Sequence, residues 1–277
     1  MVASKLPIKP KRPKRSYRAV IENLSKVWRV KAVEQESAIW QFGTAALPNI
    51  DSQSIKICVW NIFKGSGGHR FQHDFRRLLN THDLFLVQEA LFSEHSLRLY
   101  YGYGVEVLHA ASYQRSDGLR DGVMTLTKSA TFGKSKRIIC KYPEPILKTP
   151  KVALVSYHRL SGSEEILMVV NIHATLFRTV KRAVVELENL LEQLPEHFGP
   201  VIIAGDFNTF TSKYFNAVKS KLENTGMEYV SLENDHRSKT SALDQVFIKK
   251  LSVFTGTVDF SIASSDHFPL TLELKFL

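Results

Sequence analysis

Four apolar runs of this 277-residue chain end in polar side chains that a core does not require. Val59-Trp60 leads into Asn61, Leu86-Val87 into Gln88-Glu89, and Val169-Val170 into Asn171-Ile172-His173. Ile202-Ile203-Ala204 leads into Gly205-Asp206-Phe207-Asn208. Two more groups stand before apolar runs: Asp244 in Leu-Asp-Gln-Val-Phe, and Asp266-His267 in Ser-Asp-His-Phe-Pro. Carboxylates, amides and two histidines without cysteine suit a hard, oxygen-seeking cation such as Mg²⁺, with Mn²⁺ as a substitute. Phosphoryl transfer needs those parts: a metal against the phosphate charge, a base for water, and a donor for the leaving oxygen. Taken singly, each has a plain structural explanation. Glu89 fits a strand-end charge facing water, Asp206 a turn-former, Asp266 a cap, His267 a satisfied core histidine and Asp244 a strand start. Their order along the chain is what the plain explanations leave out.

The elements that must hold these groups are short. Ile55–Trp60, Leu84–Gln88, Val105–His109, Val123–Thr127, Val152–His158, Ile166–Asn171, Val201–Ala204, Asp244–Ile248 and Leu270–Phe276 are rich in Val, Ile, Leu and Phe and read as strands. Phe71–Leu79, Ser93–Tyr100, Thr179–Leu194 and Phe215–Asn224 have helical spacing, and Gly226 is a stop for the last. Strands outnumber helices and do not alternate regularly with them, so the chain is a mixed α/β protein. Residues 19–40 carry an approximate helical period, and 43–54 read as a linker.

The net charge of +10 is unevenly placed. Residues 1–18 hold seven Lys and Arg and no acid, which leaves 30 basic against 27 acidic residues, or +3, for the remainder. This Pro- and Lys-rich arm is expected to be disordered; it can bind phosphate backbones or simply solubilise the chain. No apolar run approaches the ~20 residues that cross a bilayer, and no apolar stretch follows the basic start as in a signal peptide. Cys58 and Cys140, each in an apolar run, read as buried free thiols of a cytoplasmic protein.

In order and wording, Val-Trp-Asn61, Val-Gln-Glu89, Val-Asn-Ile-His173, Gly-Asp206-Phe-Asn208, Leu-Asp244-Gln-Val-Phe and Ser-Asp266-His267-Phe-Pro resemble the endonuclease/exonuclease/phosphatase superfamily. That group includes DNase I-like nucleases, abasic-site endonucleases, neutral sphingomyelinases and inositol-polyphosphate 5-phosphatases. The wording is most similar to its bacterial YafD-like branch. The resemblance implies a four-layer α/β sandwich of two packed mixed β-sheets flanked by helices, spanning residues 55–277 after an arm (1–18) and an extension (19–54). It implies Glu89 as principal Mg²⁺ ligand, with Asn61 and Asp266 beside the metal or its waters. Asp206 would orient or deprotonate water and Asn208 would donate to the phosphate. Asp244 would accept from His267, which contacts the phosphate or acts as base, and His173 would be the acid or transition-state donor.

The chain departs from the abasic-site enzymes, which have a Tyr-Val-Pro-Asn segment where Asn171-Ile172-His173 stands. Asp121 is a candidate partner for His173, against the preferred reading as a turn acid in Arg120-Asp121-Gly122. His69 and His73 have helical metal-pair spacing but no obvious third ligand, and Gly65–Gly68 make the segment a loop. Those glycines could cradle a phosphate, although no P-loop Lys follows. Arg178, Lys181 and Arg182 open the helix after His173 and are either phosphate contacts or a solvated face. Three functions compete: a metal-dependent nuclease; a phosphodiesterase or phosphatase for a lipid headgroup or small phosphorylated molecule; and a non-catalytic nucleic-acid-binding relative. The +3 of the folded part keeps the second open, and the full set of polar residues weighs against the third.

Overall fold

The computed structural model describes residues 30–277 apart from 145–147, 177–178 and 239–241, so the basic arm and residues 19–29 lie outside the described residues. Strands β1 (Lys31–Ala32), β2 (Ile39–Gly43), β3 (Ile55–Asn61), β4 (Leu84–Phe92), β5 (Glu106–Gln114) and β6 (Arg120–Thr127) enter a first sheet. The chain then builds a second sheet from β7 (Lys136–Ile139), β8 (Val152–Arg159), β9 (Ile166–His173), β10 (Val201–Asp206), β11 (Glu228–Tyr229) and β12 (Asp244–Lys249). It returns to the first with β13 (Leu251–Val258) and β14 (Leu270–Phe276). The orders are β1-β5-β6-β4-β3-β14-β13, with β2 also on β5, and β11-β12-β10-β9-β8-β7. Both sheets are mixed: β3 pairs β4 and β9 pairs β10 in parallel, among antiparallel neighbours.

Period-two alternation explains why the central strands are apolar throughout. Ile55, Ile57 and Val59 face the space between the sheets with Leu84, Leu86, Leu167, Val169, Ile202, Ala204 and Leu272. The alternate residues Cys58, Trp60, Phe85 and Val87 face outward and are covered by Phe71, Phe75, Leu78 and Leu79 of α1 (Gly68–Thr81). On the other side Met168, Val170, Ile172, Val201 and Ile203 lie under α2 (Val180–Gln193) and α3 (Ser212–Glu223). Helix, sheet, sheet, helix is the expected four-layer sandwich. Thr179 and Thr211 cap α2 and α3 by accepting from Arg182 N and Tyr214 N.

The structure corrects three local expectations. Residues 31–40, the second half of the stretch that carried a helical period, enter two strands and a 3₁₀ turn (Gln35–Ser37), because β2 completes a ladder with β5 from Ile39↔Ala110 to Gly43↔Glu106. The 43–54 connection is packed against the sandwich: Leu47 bridges Ser129, and Ile50 bridges Leu160 and is buried between the sheets. Residues 94–99 form a 3₁₀ helix instead of an α-helix. Cys58 and Cys140 are buried free thiols. No helix among the described residues is long and apolar enough to cross a membrane.

Candidate active site

The polar residues meet at one end of the sandwich because strand direction delivers them there. β3, β4, β9 and β10 run toward that end and stop at Asn61, beyond Glu89, at His173 and at Asp206, while β12 begins there with Asp244. In the second sheet His173, Asp206 and Asp244 stand side by side in register across three strands. This row requires a close approach of β9 and β10 that only glycine permits. A Cβ on Gly205, at φ 142°, would lie 1.9 Å from Ile172 O.

Polar bonds join this row to the first sheet. Asn61 Nδ2 donates to Asp206 Oδ2 at 3.0 Å, and Asp206 Oδ1 accepts from Asn208 N at 2.9 Å. Deeper in, Gln88 Nε2 donates to Asn171 Oδ1 at 2.7 Å, and Asn171 Nδ2 donates to Met124 O at 2.9 Å. The loop before β14 is tied down by Ser265 Oγ donating to Asn61 O at 2.7 Å and by Trp60 Nε1 donating to His267 O at 3.0 Å. His267 Nδ1 donates to Asp244 Oδ2 at 2.7 Å. His173 Nε2 lies 3.6 Å from Asp206 Oδ2. Asn208, with φ 53°, commits one amide proton to Ala174 O at 2.7 Å and keeps the other for a ligand. Glu89 is half-buried on a bulge of β4 between Val87 and Ala90, with φ 52°. Asp266 is exposed beside His267, with Oδ1 3.3 Å from Ser265 Oγ.

The two histidines are held in opposite charge states. Burial alone would lower His267, but Asp244 and then Asp206 and Asp266 lift it to about 10, so it is an imidazolium. Burial, Lys151 and His267 hold His173 well below the ordinary histidine range, so it is neutral. Burial pushes the Asp206 carboxyl up to about 6, with Asp244 adding to the rise and His267 opposing it. Asp266 is raised by loss of water around its carboxyl and then by Glu89, although the residue as a whole is exposed.

Asn61, Glu89 and Asp266 offer oxygen ligands alone, which fits Mg²⁺ or Mn²⁺. Asn61 Oδ1 also accepts from Phe63 N at 3.1 Å and retains one lone pair. Asp206, Asp244 and His267 lie close enough to form a ligand group themselves.

Other expectations resolve differently. Asp121 is neither a turn acid nor seen with His173; it lies in β6, buried, 3.7 Å from Lys64 Nζ. His69 and His73 are exposed on α1 and not on a loop, and His73 faces Asp74 at 3.5 Å. Lys181 and Arg182 are exposed on the first turn of α2, and Arg178 lies outside the described residues. Four residues escaped the sequence reading. Lys151 Nζ donates to His173 Nε2 at 3.1 Å, and Lys64 reaches Asp121. Buried Arg237 donates to Asp244 O at 3.1 Å and grips Asp235 with Nε and Nη2 at 3.0 and 2.8 Å. The Tyr113 hydroxyl is raised by burial and then by the charges of Asp121 and Glu89, and it hydrogen-bonds Asp121. A lone basic residue heading a strand, like Lys151, becomes visible only when the strand's antiparallel partner is known.

A profile of the endonuclease/exonuclease/phosphatase family matches residues 58–267. A UPF0294 protein of Vibrio vulnificus is 33% identical over 232 residues, covering 81% of this chain and 78% of the relative. Among solved structures, an endonuclease/exonuclease/phosphatase from Beutenbergia cavernae superposes with a TM-score of 0.63 at 15% identity, over 81% of this chain and 72% of that one. A mannosyl-6-phosphatase from Bacteroides thetaiotaomicron superposes with a TM-score of 0.58 at 16% identity, over 80% of this chain and 100% of that one. At such identities these two structures bear on the fold alone. The match over most of the chain, with the motifs gathered at one end of a doubly layered sandwich, makes this protein a member of the endonuclease/exonuclease/phosphatase family, whose members are in general phosphoric ester hydrolases.

Proposed function

We propose that this chain is a Mg²⁺-dependent phosphodiester hydrolase of nucleic acid, acting by in-line attack of water. The observation that carries the reading is the hydrogen-bonded set Asn61–Asp206 and Asp244–His267, placed in register beside His173 at the shared end of two sheets. A divalent cation held by Glu89, with Asn61 and Asp266, would neutralise charge on the scissile phosphate. Asp206 orients the attacking water and receives its proton, its carboxylate aimed by Asn61 and Asn208 N. The His267 imidazolium, oriented by Asp244, donates to a non-bridging oxygen, and the free Asn208 amide proton donates to another. The neutral His173 ring stands on the other side of Asp206 as a hydrogen-bond donor to the leaving oxygen in the transition state, with the Lys151 ammonium against it. Most of the rate gain then comes from positioning and fixed charge.

Nucleic acid is favoured over smaller esters by the attachment of the basic arm. Lys31 pairs with Gln114, the last residue of β5 at the site end, so the chain that carries seven basic residues joins the sandwich there. A second reading, a phosphatase for a small phosphorylated molecule or lipid headgroup, has the +3 charge of the remaining chain in its favour. Either is assigned to the cytoplasm.

The test is hydrolysis of supercoiled plasmid and of bis-p-nitrophenyl phosphate with Mg²⁺, Mn²⁺ or EDTA, for wild type and Asp206→Ala. Metal-dependent cleavage of both substrates, lost in the variant, is the expected result. Cleavage of the small diester alone selects the second reading. No metal-dependent cleavage, or activity that survives Asp206→Ala, overturns the assignment.

A further inference from the structure

The turn that carries Lys64 has no task in the chemistry above, yet it is strained. Directly after Asn61 the chain takes three left-handed residues in succession, Phe63 (φ 47°), Lys64 (φ 59°) and Gly65 (φ 67°). Two of them bear side chains, which the left-handed region penalises. The turn is pinned by Ile62 N donating to Gln88 O at 3.1 Å, Phe63 N to Asn61 Oδ1 at 3.1 Å and Gly65 N to Ile62 O at 2.9 Å. It therefore runs beside the residue that precedes Glu89, and it brings Lys64 Nζ to 3.7 Å from Asp121 Oδ2.

The facing wall is irregular in a complementary way. β6 is flanked by bulges in both neighbours, in β4 between Val87 and Ala90 and in β5 between Ala111 and Tyr113. Between them Gly122 lets the strands close in; a Cβ there would stand 2.0 Å from Ala110 O. Bulges re-aim the side chains next to them, and here those are Glu89, Tyr113 and Asp121. Asp121 is only 5% exposed, and its Oδ2 accepts no hydrogen bond. A buried carboxylate next to a second acid needs a cation to stay charged. Burial raises the Asp121 carboxyl; Lys64 opposes that rise, Glu89 adds to it, and a hydrogen bond with the Tyr113 hydroxyl also favours the charged form.

We propose that Lys64 is a built-in cation of the active site, its ammonium standing against Asp121 beside Glu89 where a second divalent ion would otherwise be held, so that the site loads a single metal ion. The inference rests on the metal-dependent reading above and adds the stoichiometry to it. Lys64 is a positioning residue: it holds Asp121 and leaves Glu89, with Asn61 and Asp266, to one ion. An ordinary surface ion pair would not explain two strained residues, since a lysine can reach a neighbouring acid from relaxed backbone.

Mn²⁺ binding to the full chain, followed by the electron paramagnetic resonance of free Mn²⁺ and by calorimetry, tests it. Wild type and Lys64→Arg are expected to bind one ion. Lys64→Met is expected to bind two and to hold the first several-fold more tightly, because a neighbouring positive charge is gone. Adding Asp121→Asn to Lys64→Met returns the count to one. Circular dichroism and Tm establish that each variant is folded, and Lys64→Gln replaces Lys64→Met if that variant is not. Two ions in wild type, or one ion with unchanged affinity in the folded Lys64→Met, overturns the proposal alone. No ion in wild type at millimolar Mn²⁺, or an ion that persists in Glu89→Gln, defeats the metal reading and the proposal with it.

Discussion

His173 and His267 share one buried site with Asp206 and yet differ by a full charge: acids led by Asp244 lift His267, while burial and then Lys151 lower His173. His267 has the Asp244 carboxylate at 2.7 Å; His173 has the Lys151 ammonium at 3.1 Å. Lys151 is also 3.7 Å from Glu144, which ties it to the loop before β8. Burial is the larger influence on His173 and Lys151 the next. In Lys151→Met the His173 pKa should therefore rise but stay below the ordinary histidine value, as an NMR titration of its ring nitrogens would read. The same variant is expected to lower kcat for a diester by on the order of 100-fold, the scale for misplacing one reacting group by about 1 Å. An unchanged His173 titration would mean that burial alone sets its state.

At the scale of elements, the site depends on how closely β9 and β10 approach. Gly205 allows Asp206 to stand level with His173, and neither strand carries a bulge there. Gly205→Ala introduces both a 1.9 Å contact with Ile172 O and a side chain at φ 142°. The expected cost exceeds about 4 kcal/mol, measured as a fall in the urea midpoint, and any folded fraction should be inactive because His173 and Asp206 no longer align. A variant with wild-type stability would show that the strands separate without loss. The Gln88–Asn171 bond between sheets has a related role: it pairs Gln88 Nε2 with Asn171 Oδ1, two polar atoms that the apolar interior otherwise leaves costly.

For the molecule as a whole, burial sets how stability responds to acid. His109 and His158 are buried and lie far from neutral titration, at about 4 and about 3, burial being the first cause for both. Unfolding frees them to bind protons near pH 6.5, so between that pH and about 4 the unfolded chain holds more protons than the folded one. Their contribution to stability therefore rises with pH across this window and is lost as pH falls through it, by on the order of 1–2 kcal/mol for each histidine at pH 5. Guanidinium denaturation at pH 7 and pH 5 checks this, with His158→Gln as the control. The variant should lose less on acidification than wild type, and equal losses would refute the assignment.

The sequence alone carried nine of the fourteen strands among the described residues, the three α-helices and the identity of the groups at the strand ends. Apolar periodicity and abrupt polar stops are local properties, and a pattern such as Gly-Asp206-Phe-Asn208 is complete within four residues. It misread residues 31–40 because a helical period cannot reveal that β5 has an open edge for Ile39–Gly43 to fill. It missed Lys151, Arg237 and the Lys64–Asp121 pair, whose partners lie 22, 7 and 57 residues away in the chain. Only tertiary structure decided which histidine is charged, that Asp121 faces Lys64, and that Glu89 projects from a bulge. Each depends on register and on water excluded by neighbours from other strands, and those are properties of the assembled sandwich.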